Sequence, residues 1–274
     1  MNIIPKLTIA TLLASTCVLA GCSNTYLKDG ISIINPDANY DDSDNSSADK
    51  ADITKYPTVA INKSFNTISV SNAVTVEYVA GDTRSYTLSC RPDIKEKVSI
   101  KVKGNSLCVS FNNKQRRWSK SPNIHVVVTS PDVDRFEISN ASTLIVNREL
   151  NVETLKVESN NASNIQFNYP IRTSSASIAS NNASSIKFNK PITASSASIE
   201  SNNASNLIIK GLTATNINGS SANCSALEIS GIDGGDLKFE SSNMSSAKLS
   251  GTVDSSSISK NQMSSVNTSN LKTR

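Results

Sequence analysis

The chain is poor in the residues that most often build metal sites and catalytic centres. It has 274 residues but only one histidine, His125, and one tryptophan. His125 lies in an apolar, strand-like run, and no two of Cys22, Cys90, Cys108 and Cys224 have the spacing of a metal-binding pair. We therefore expect no metal, no cofactor and no catalytic residue, and we interpret the protein as a non-enzyme.

The second half of the chain also lacks the hydrophobic spacing of an amphipathic helix. Its apolar residues alternate with polar ones, which is the period of a β-strand. The phrase Asn-(small)-Ser-x-(apolar)-x-(apolar) returns at intervals of 21, 21, 21, 20, 20 and 19 residues, with Gln in place of Asn in the last copy. A period of this size is typical of a solenoid, in which each repeat is one coil. The positions are Asn140, Asn161, Asn182, Asn203, Asn223, Asn243 and Gln262.

Each repeat is too short for a strand–helix–strand unit, so we predict two or three short strands per coil, joined by tight corners. The predicted fold is all-β: a right-handed parallel β-solenoid of about seven coils, each of 19–21 residues. Small residues at the corners let the wall turn. The serine two residues after each Asn is predicted to form one vertical structural ladder, which contains Ser142, Ser163, Ser184, Ser205, Ser225, Ser245 and Ser264.

Apolar columns are predicted to face the interior of the coils. One lies four residues before each Asn, and two others lie four and six residues after it. Cys224 takes a corner position that is Ala in four coils, so we interpret it as a small buried residue. A further inward column is predicted nine or ten residues after the Asn, at Leu150, Ile171, Ile192, Leu212, Ile232, Val253 and Leu271.

The first 21 residues read as a secretion signal. A basic start is followed by an apolar run and then by Leu-Ala-Gly-Cys, which resembles the bacterial lipobox. We expect cleavage before Cys22 and lipidation of Cys22, which anchors the protein to a membrane. Since Ser23 and not Asp follows the cysteine, the resemblance implies the outer membrane, at the cell surface or on its periplasmic face. Residues 22–56 are acidic and poor in apolar residues, so we expect a disordered tether.

Residues 57–135 are predicted to be a strand-rich segment that caps or continues the solenoid of residues 136–274. Lys103-Gly104-Asn105-Ser106 reads as a hairpin turn. Cys90 and Cys108 lie in strand-like runs and could pair in an oxidising envelope, which the sequence leaves open. A basic run with the single tryptophan is the candidate ligand-binding loop, since cations beside an aromatic ring suit an anionic glycan or a lipid phosphate. It contains Lys114, Arg116, Arg117, Trp118 and Lys120.

From about Ala60 to Leu271 the chain resembles the putative auto-transporter adhesin, head GIN domain family. The resemblance rests on the lipobox, the corners such as Asn140-Ala141-Ser142, and residues 65–71 (FNTISVS) and 130–136 (SPDVDRF). It implies an exported β-solenoid of a Gram-negative bacterium with an adhesin-like role. The family's corners are typically Gly-Ala-Ser. Asn replaces that Gly here, and Asn also tolerates a left-handed backbone.

Two functions are compatible with these features. The first is a non-catalytic, envelope-anchored lipoprotein with an adhesin-like, binding or structural role. Its expected partners are the membrane, a glycan or protein ligand and possible further copies of itself, but not nucleic acid. The alternative is a polysaccharide lyase or hydrolase, since such sites group carboxylates on one face. Glu137 and Glu158, three residues before successive Asn corners, are the candidate pair, although Ala179 interrupts their column.

Overall fold

A computed structural model describes residues 54–112 and 122–274. These residues belong to one compact unit, Lys50–Arg274. Within the described ranges, no helix is long and apolar enough to cross a bilayer. The elements are β1 (Thr54–Lys55), β2 (Val59–Ala60), β3 (Thr67–Ser71), β4 (Thr75–Val79), β5 (Ser85–Cys90), a 3-10 helix (Pro92–Lys97), β6 (Val98–Lys103), β7 (Ser106–Phe111), β8 (His125–Thr129), β9 (Arg135–Ser139), β10 (Thr143–Asn147), β11 (Leu150–Asn160), β12 (Asn164–Phe167), β13 (Ile171–Asn181), β14 (Ser185–Phe188), β15 (Ile192–Asn202), β16 (Asn206–Ala222), β17 (Ala226–Ser241), β18 (Ser246–Lys260) and β19 (Ser265–Thr273).

From β9 onward the chain winds round a stack of strands once per repeat. Each coil has three segments: face 1 precedes the Asn, face 2 follows the corner, and face 3 leads to the next face 1. Equivalent segments pair in parallel, as β9 with β11 on face 1, β10 with β12 on face 2, and β11 with β13 on face 3. The predicted β-solenoid of about seven coils is confirmed. Its right-handed winding stays a prediction.

The first half of the chain enters the stack out of sequence order. On face 1, β3 lies between β7 and β9 and pairs in parallel with both. On face 2, β4 lies between β8 and β10 in the same way. The strands β7 and β8 therefore form a layer below β3 and β4, although they follow them in the chain. Residues 57–135 both continue the solenoid and cap it.

The cap, which we define as residues 54–60 and 85–103, closes one end of the stack with antiparallel strands. On face 1, β6 pairs antiparallel with β7 through a two-residue turn at Gly104-Asn105, as predicted. On face 2, β5 pairs antiparallel with β8, and β1 and β2 pair with β5. Ile94 of the 3-10 helix is buried between them. An antiparallel cap stops the parallel stacking, which protects this end from unwanted strand addition.

The corners are pairs of residues with left-handed backbone. In every repeat the Asn and the residue after it have φ between 52° and 61°. The N–H of the second residue donates to the Asn carbonyl of the next coil, as from Ala183 to Asn203 at 2.9 Å. An eighth corner, Asn72-Ala73, joins β3 to β4 with the same geometry. It escapes the repeat pattern because Val74 stands where the other corners have Ser.

The second corner residue is exposed, because the corner turns its side chain outward. The interpretation of Cys224 as buried is therefore wrong, since Cys224 occupies this exposed position. Met244 and Met263 follow in the same column, and Met263 is 86% exposed. Corner geometry, and not burial, explains why the second corner residue is small in most coils.

We expect Ala183→Gly to stabilise the protein by about 0.5–1 kcal/mol. Ala183 has φ 60° and an exposed side chain, so glycine relieves the left-handed backbone at little cost in packing. Ala197→Gly is the matched control, since Ala197 is 2% exposed within strand β15. That change should destabilise the protein by a similar amount. Chemical denaturation of both variants measures the two effects, and a loss of stability in Ala183→Gly would contradict the argument.

The interior is a set of apolar columns, each filled by one residue per coil. The columns four before and four and six after the Asn are buried as predicted in coils that have a neighbour on both sides, except at Gly219, which is partly exposed. A further buried column, missed from the sequence, lies six residues before the Asn. It contains Leu155, Ala176, Ala197, Ile217 and Leu237.

One residue of a predicted inward column does not align with the others. Val253 is buried, but it pairs with Gly234, while Gly251 pairs with Ile232. A register shift between Ile229 and Ile232 changes the alignment of β17 and β18 by one residue at this point. Gly251 has φ 133°, and a Cβ there would lie 2.1 Å from the Ile232 carbonyl oxygen. Only glycine fits this site, so the alternation of the neighbouring coils cannot continue through it.

Candidate functional site

Two of the site predictions lie outside the described residues. These are the lipidation residue Cys22 and the basic run with Lys114, Arg116, Arg117, Trp118 and Lys120. The flanking residues are described: Asn112 follows β7 and Pro122 precedes β8.

The serine ladder lies inside the stack, directly behind the corners. Its members from Ser142 to Ser245 are at most 2% exposed, while Ser264 in the last coil is partly exposed. Their hydroxyls donate across coils to backbone carbonyls, as from Ser205 to Ser180 at 2.7 Å and from Ser245 to Ser221 at 2.6 Å. The serines therefore stack in one column, but each is held by the backbone rather than by the next serine in the column.

A second buried serine column was missed from the sequence. It lies two residues before the Asn and consists of Ser159, Ser180, Ser201, Ser221 and Ser241. Hydroxyl pairs across the corner, such as Ser201 with Ser205 at 3.0 Å, join the two columns. The five-fold repetition of Ser at this position was the available signal. Serine suits the site because a short side chain with one donor fits behind a tight corner.

We expect Ser205→Ala to cost about 1–2 kcal/mol of stability. The change removes the hydrogen bond to the Ser180 carbonyl and the partner of the Ser201 hydroxyl, and both groups lie in a buried region. Ser198→Ala serves as the control, because Ser198 is an exposed strand residue of the same repeat. It should change stability by less than about 0.5 kcal/mol. Equal effects in urea denaturation would show that the ladder contributes nothing specific.

The corner asparagines form a continuous ladder on the outer surface. Each Nδ2 donates to the Oδ1 of the Asn in the preceding layer, at 2.7–3.2 Å, over six consecutive steps from Asn140 to Asn243. The ladder begins at Asn72, which accepts from Asn140. A shorter ladder joins Asn189, Asn168 and Asn147 after face 2. These amides are used to hold neighbouring coils together.

The two carboxylates of the candidate pair are each engaged in an ion pair on their own strand. Glu137 and Glu158 are neighbours in parallel register, as predicted. Each carboxylate is paired with a cation two residues earlier on its own strand, Glu137 with Arg135 and Glu158 with Lys156, both at 2.6 Å. Among the described residues, no group of three or more potential metal ligands comes together.

One buried polar cluster lies between face 2 and face 3 of the early coils. The Tyr78 hydroxyl donates to the Ser130 carbonyl at 2.7 Å, and Arg148 Nη1 donates to both Tyr78 and Ser130. Burial raises the pKa of Tyr78 to about 12, against the opposing effect of the Arg148 guanidinium. The hydroxyl therefore stays protonated at neutral pH. The Ser130 carbonyl accepts both hydrogen bonds, whereas the buried Ser130 hydroxyl has no partner among the described residues. The Tyr78 and Arg148 contacts fit a structural joint where the chain re-enters the stack.

The cysteines of the described segment do not form a disulfide. Cys90 is buried in β5, Cys108 is partly buried in β7, and both are free thiols. Burial raises the pKa of the Cys90 thiol, which keeps it protonated and unreactive. The pairing that the sequence left open is absent from this structure.

The fold and its polar columns define a β-solenoid whose wall is regular from coil to coil. Residues 64–190 match the family described as "Putative auto-transporter adhesin, head GIN domain", so this segment is similar to that family. The family match ends at residue 190, whereas the same coils continue to β19.

Solved structures show the same fold at low sequence identity. A putative adhesin from Bacteroides fragilis NCTC 9343 superposes with a TM-score of 0.65 at 15% identity, covering 79% of this chain and 96% of the other. A putative adhesin from Parabacteroides merdae ATCC 43184 gives 0.62 at 14%, covering 79% and 95%. A putative lipid binding protein from Parabacteroides distasonis ATCC 8503 gives 0.55 at 12%, covering 80% and 97%. No curated protein matches the chain.

Proposed function

We propose that this protein is a non-catalytic lipoprotein of the bacterial outer membrane, anchored through Cys22, with an adhesin-like binding or structural role. The observation that carries the proposal is that polar side chains of the wall are engaged in contacts within the wall itself. The Asn and Ser columns bond coil to coil, and Glu137 and Glu158 are paired with cations on their own strands. Such a wall is a rigid support that holds a surface away from the membrane. The family and the solved neighbours, most of them putative adhesins, support the same role.

The ligand proposed for this role is a glycan or a protein, and not nucleic acid. The candidate loop with Trp118 supports this choice, because cations beside an aromatic ring suit an anionic sugar. Binding of wild type and Trp118→Ala to a glycan and matrix-protein array tests the loop. A ligand that binds both forms equally would assign recognition to another surface.

Lipid labelling and protease shaving test the anchor and the location. Wild type should incorporate labelled palmitate and partition into detergent, and Cys22→Ser should do neither. Digestion of intact cells should remove the 122–274 portion if the protein is displayed at the surface. Protection until the outer membrane is broken would contradict the adhesin role and favour a periplasmic scaffold. Labelling of Cys22→Ser to the wild-type level would contradict the anchor itself.

A further inference from the structure

The two ends of the solenoid differ in how they finish, and the cap that closes one of them is strongly basic. Residues 54–60 and 85–103 contain six basic and two acidic side chains, a net charge of +4. By contrast, residues 136–274, which form the regular coils, contain eleven basic and ten acidic side chains, a net charge of +1. The cap is therefore more basic than the coils that it closes.

The basic side chains of the cap lie on its outermost elements. Lys101 and Lys103 are exposed on β6, which among the described residues pairs with β7 alone. Lys55 of β1 and Lys95 of the 3-10 helix are also exposed, and Lys95 Nζ lies 3.9 Å from the centre of the Tyr56 ring. Alternate residues of β6, including Val102, pack against the core instead. The strand thus turns its apolar side inward and its lysines outward.

The acidic side chains of the cap neutralise little of this charge. Asp93 is bonded to Arg91 through both of its carboxylate oxygens, so that pair contributes no net charge. Glu96 is the only other acid in these residues. Five lysines and one acid therefore remain in the cap, which leaves a surface complementary to phosphate groups.

Chain connectivity attaches the segment with the proposed lipid anchor to this same end of the stack. Thr54, the first described residue, pairs with Cys90 in the cap. The segment that carries Cys22 therefore joins the stack at its basic end. Thirty-one residues separate Cys22 from Thr54, so the reach of this segment permits contact between the cap and the bilayer.

We propose that the cap is a docking surface for an anionic lipid bilayer, with the exposed lysines of β6, β1 and the 3-10 helix binding lipid phosphates. The proposal rests on the lipid anchor at Cys22. An acyl anchor alone allows any orientation, whereas an anchor plus a basic surface at the same end holds the solenoid upright. The opposite end, at β18 and β19, then points away from the membrane with the wall fully accessible.

Vesicle flotation with the unlipidated protein tests the docking separately from the anchor. The protein spans residues 22–274 with Cys22→Ser, and the vesicles contain either phosphatidylethanolamine with phosphatidylglycerol or phosphatidylcholine alone. We expect binding to the anionic vesicles only, and weaker binding as NaCl is raised. Each lysine near an anionic surface strengthens binding roughly fivefold, so Lys101→Glu with Lys103→Glu should weaken it by at least about tenfold.

A charge-matched variant at the other end is the control. Lys260→Glu with Lys272→Glu makes the same change in net charge on exposed residues of β18 and β19. It should bind the anionic vesicles like the parent protein. Equal losses in the two variants would mean a non-specific charge effect, and full binding by the β6 variant would assign the contact elsewhere; either result overturns the proposal.

Two further outcomes would also overturn it. The first is failure of the parent protein to bind anionic vesicles at any salt concentration. The second is retention on an immobilised anionic polysaccharide such as alginate without vesicle binding, which would make the cap a glycan surface. Neither result affects palmitate labelling of Cys22, so failure of the docking proposal is distinguishable from failure of the anchor.

Discussion

Phe188→Ala should lower the free energy of unfolding by about 3–5 kcal/mol. Phe188 is fully buried at the centre of the solenoid, and its ring stacks on that of Phe167 with centroids 4.5 Å apart and planes 5° from parallel. Phe167 in turn meets the Phe136 ring edge-on at 5.5 Å. Alanine would therefore remove a large apolar side chain and leave a cavity between coils that are held in register by backbone hydrogen bonds and cannot collapse into it.

Tyr169→Ala is the matched control for this prediction. Tyr169 lies two residues after Phe167 in the preceding coil, but its side chain is about half exposed at 49%. Its loss should cost less than about 0.5–1 kcal/mol. Guanidinium denaturation followed by circular dichroism measures both changes, and comparison of the denaturant slopes tests whether each variant still unfolds as one unit. Similar costs for the two aromatic residues would contradict the assignment of Phe188 to the core.

The repeats were predictable because apolar residues recur at the same inward positions in each coil. A residue such as Ile165 or Ile186 is recognisable as buried from its place in the period, and the structure pairs these two side by side. Parallel stacking of equivalent positions follows directly, since only that arrangement buries every apolar column at once. The regular coils therefore required no knowledge of long-range contacts.

The order of layers in the first half was not predictable in this way. β3 and β4 pair with β9 and β10, which lie 68 residues further along the chain. The intervening strands fold back to form the layer below them. Alternation alone cannot show this, because strands of any order would display the same period. The corner at Asn72 could have indicated it, but Val74 in the serine position concealed the relationship.

The buried polar columns illustrate a second limit of the sequence pattern. Ser159 and Ser201 read as solvent-facing residues because they are polar, yet both are fully buried. Their hydroxyls are satisfied by serines across the corner, as Ser159 is by Ser163 at 2.9 Å. A polar residue can be inward when its partner repeats with the same period, and only the pairing of the two columns reveals this. For the candidate loop around Trp118, no comparable period exists.

The second large effect is expected at Gly219, where the absence of a side chain leaves space for a residue of the next coil. Gly219 stands in the column four before the Asn, next to Phe239 in parallel register. A Cβ at Gly219 would lie 2.6 Å from one carbon of the Phe239 ring and 2.9 Å from another. Phe239 is 1% exposed and fills the space that the glycine leaves. Gly219→Ile should therefore destabilise the protein by about 3 kcal/mol through overpacking.

Phe239→Ile should restore most of that loss when it is combined with Gly219→Ile. The column already carries Ile178 and Ile199 on one side of this pair and Ile258 on the other, so one isoleucine in each coil matches its neighbours. Phe239→Ile alone leaves a cavity above the glycine and should cost about 2 kcal/mol. A double-mutant cycle in guanidinium should then give a favourable interaction energy of about 3.5–4 kcal/mol, the difference between an additive loss of about 5 kcal/mol and a remaining loss of about 1–1.5 kcal/mol. Additive losses would show that the two positions do not share one packing site. The size of Phe239 would then be unrelated to the absence of a side chain at Gly219.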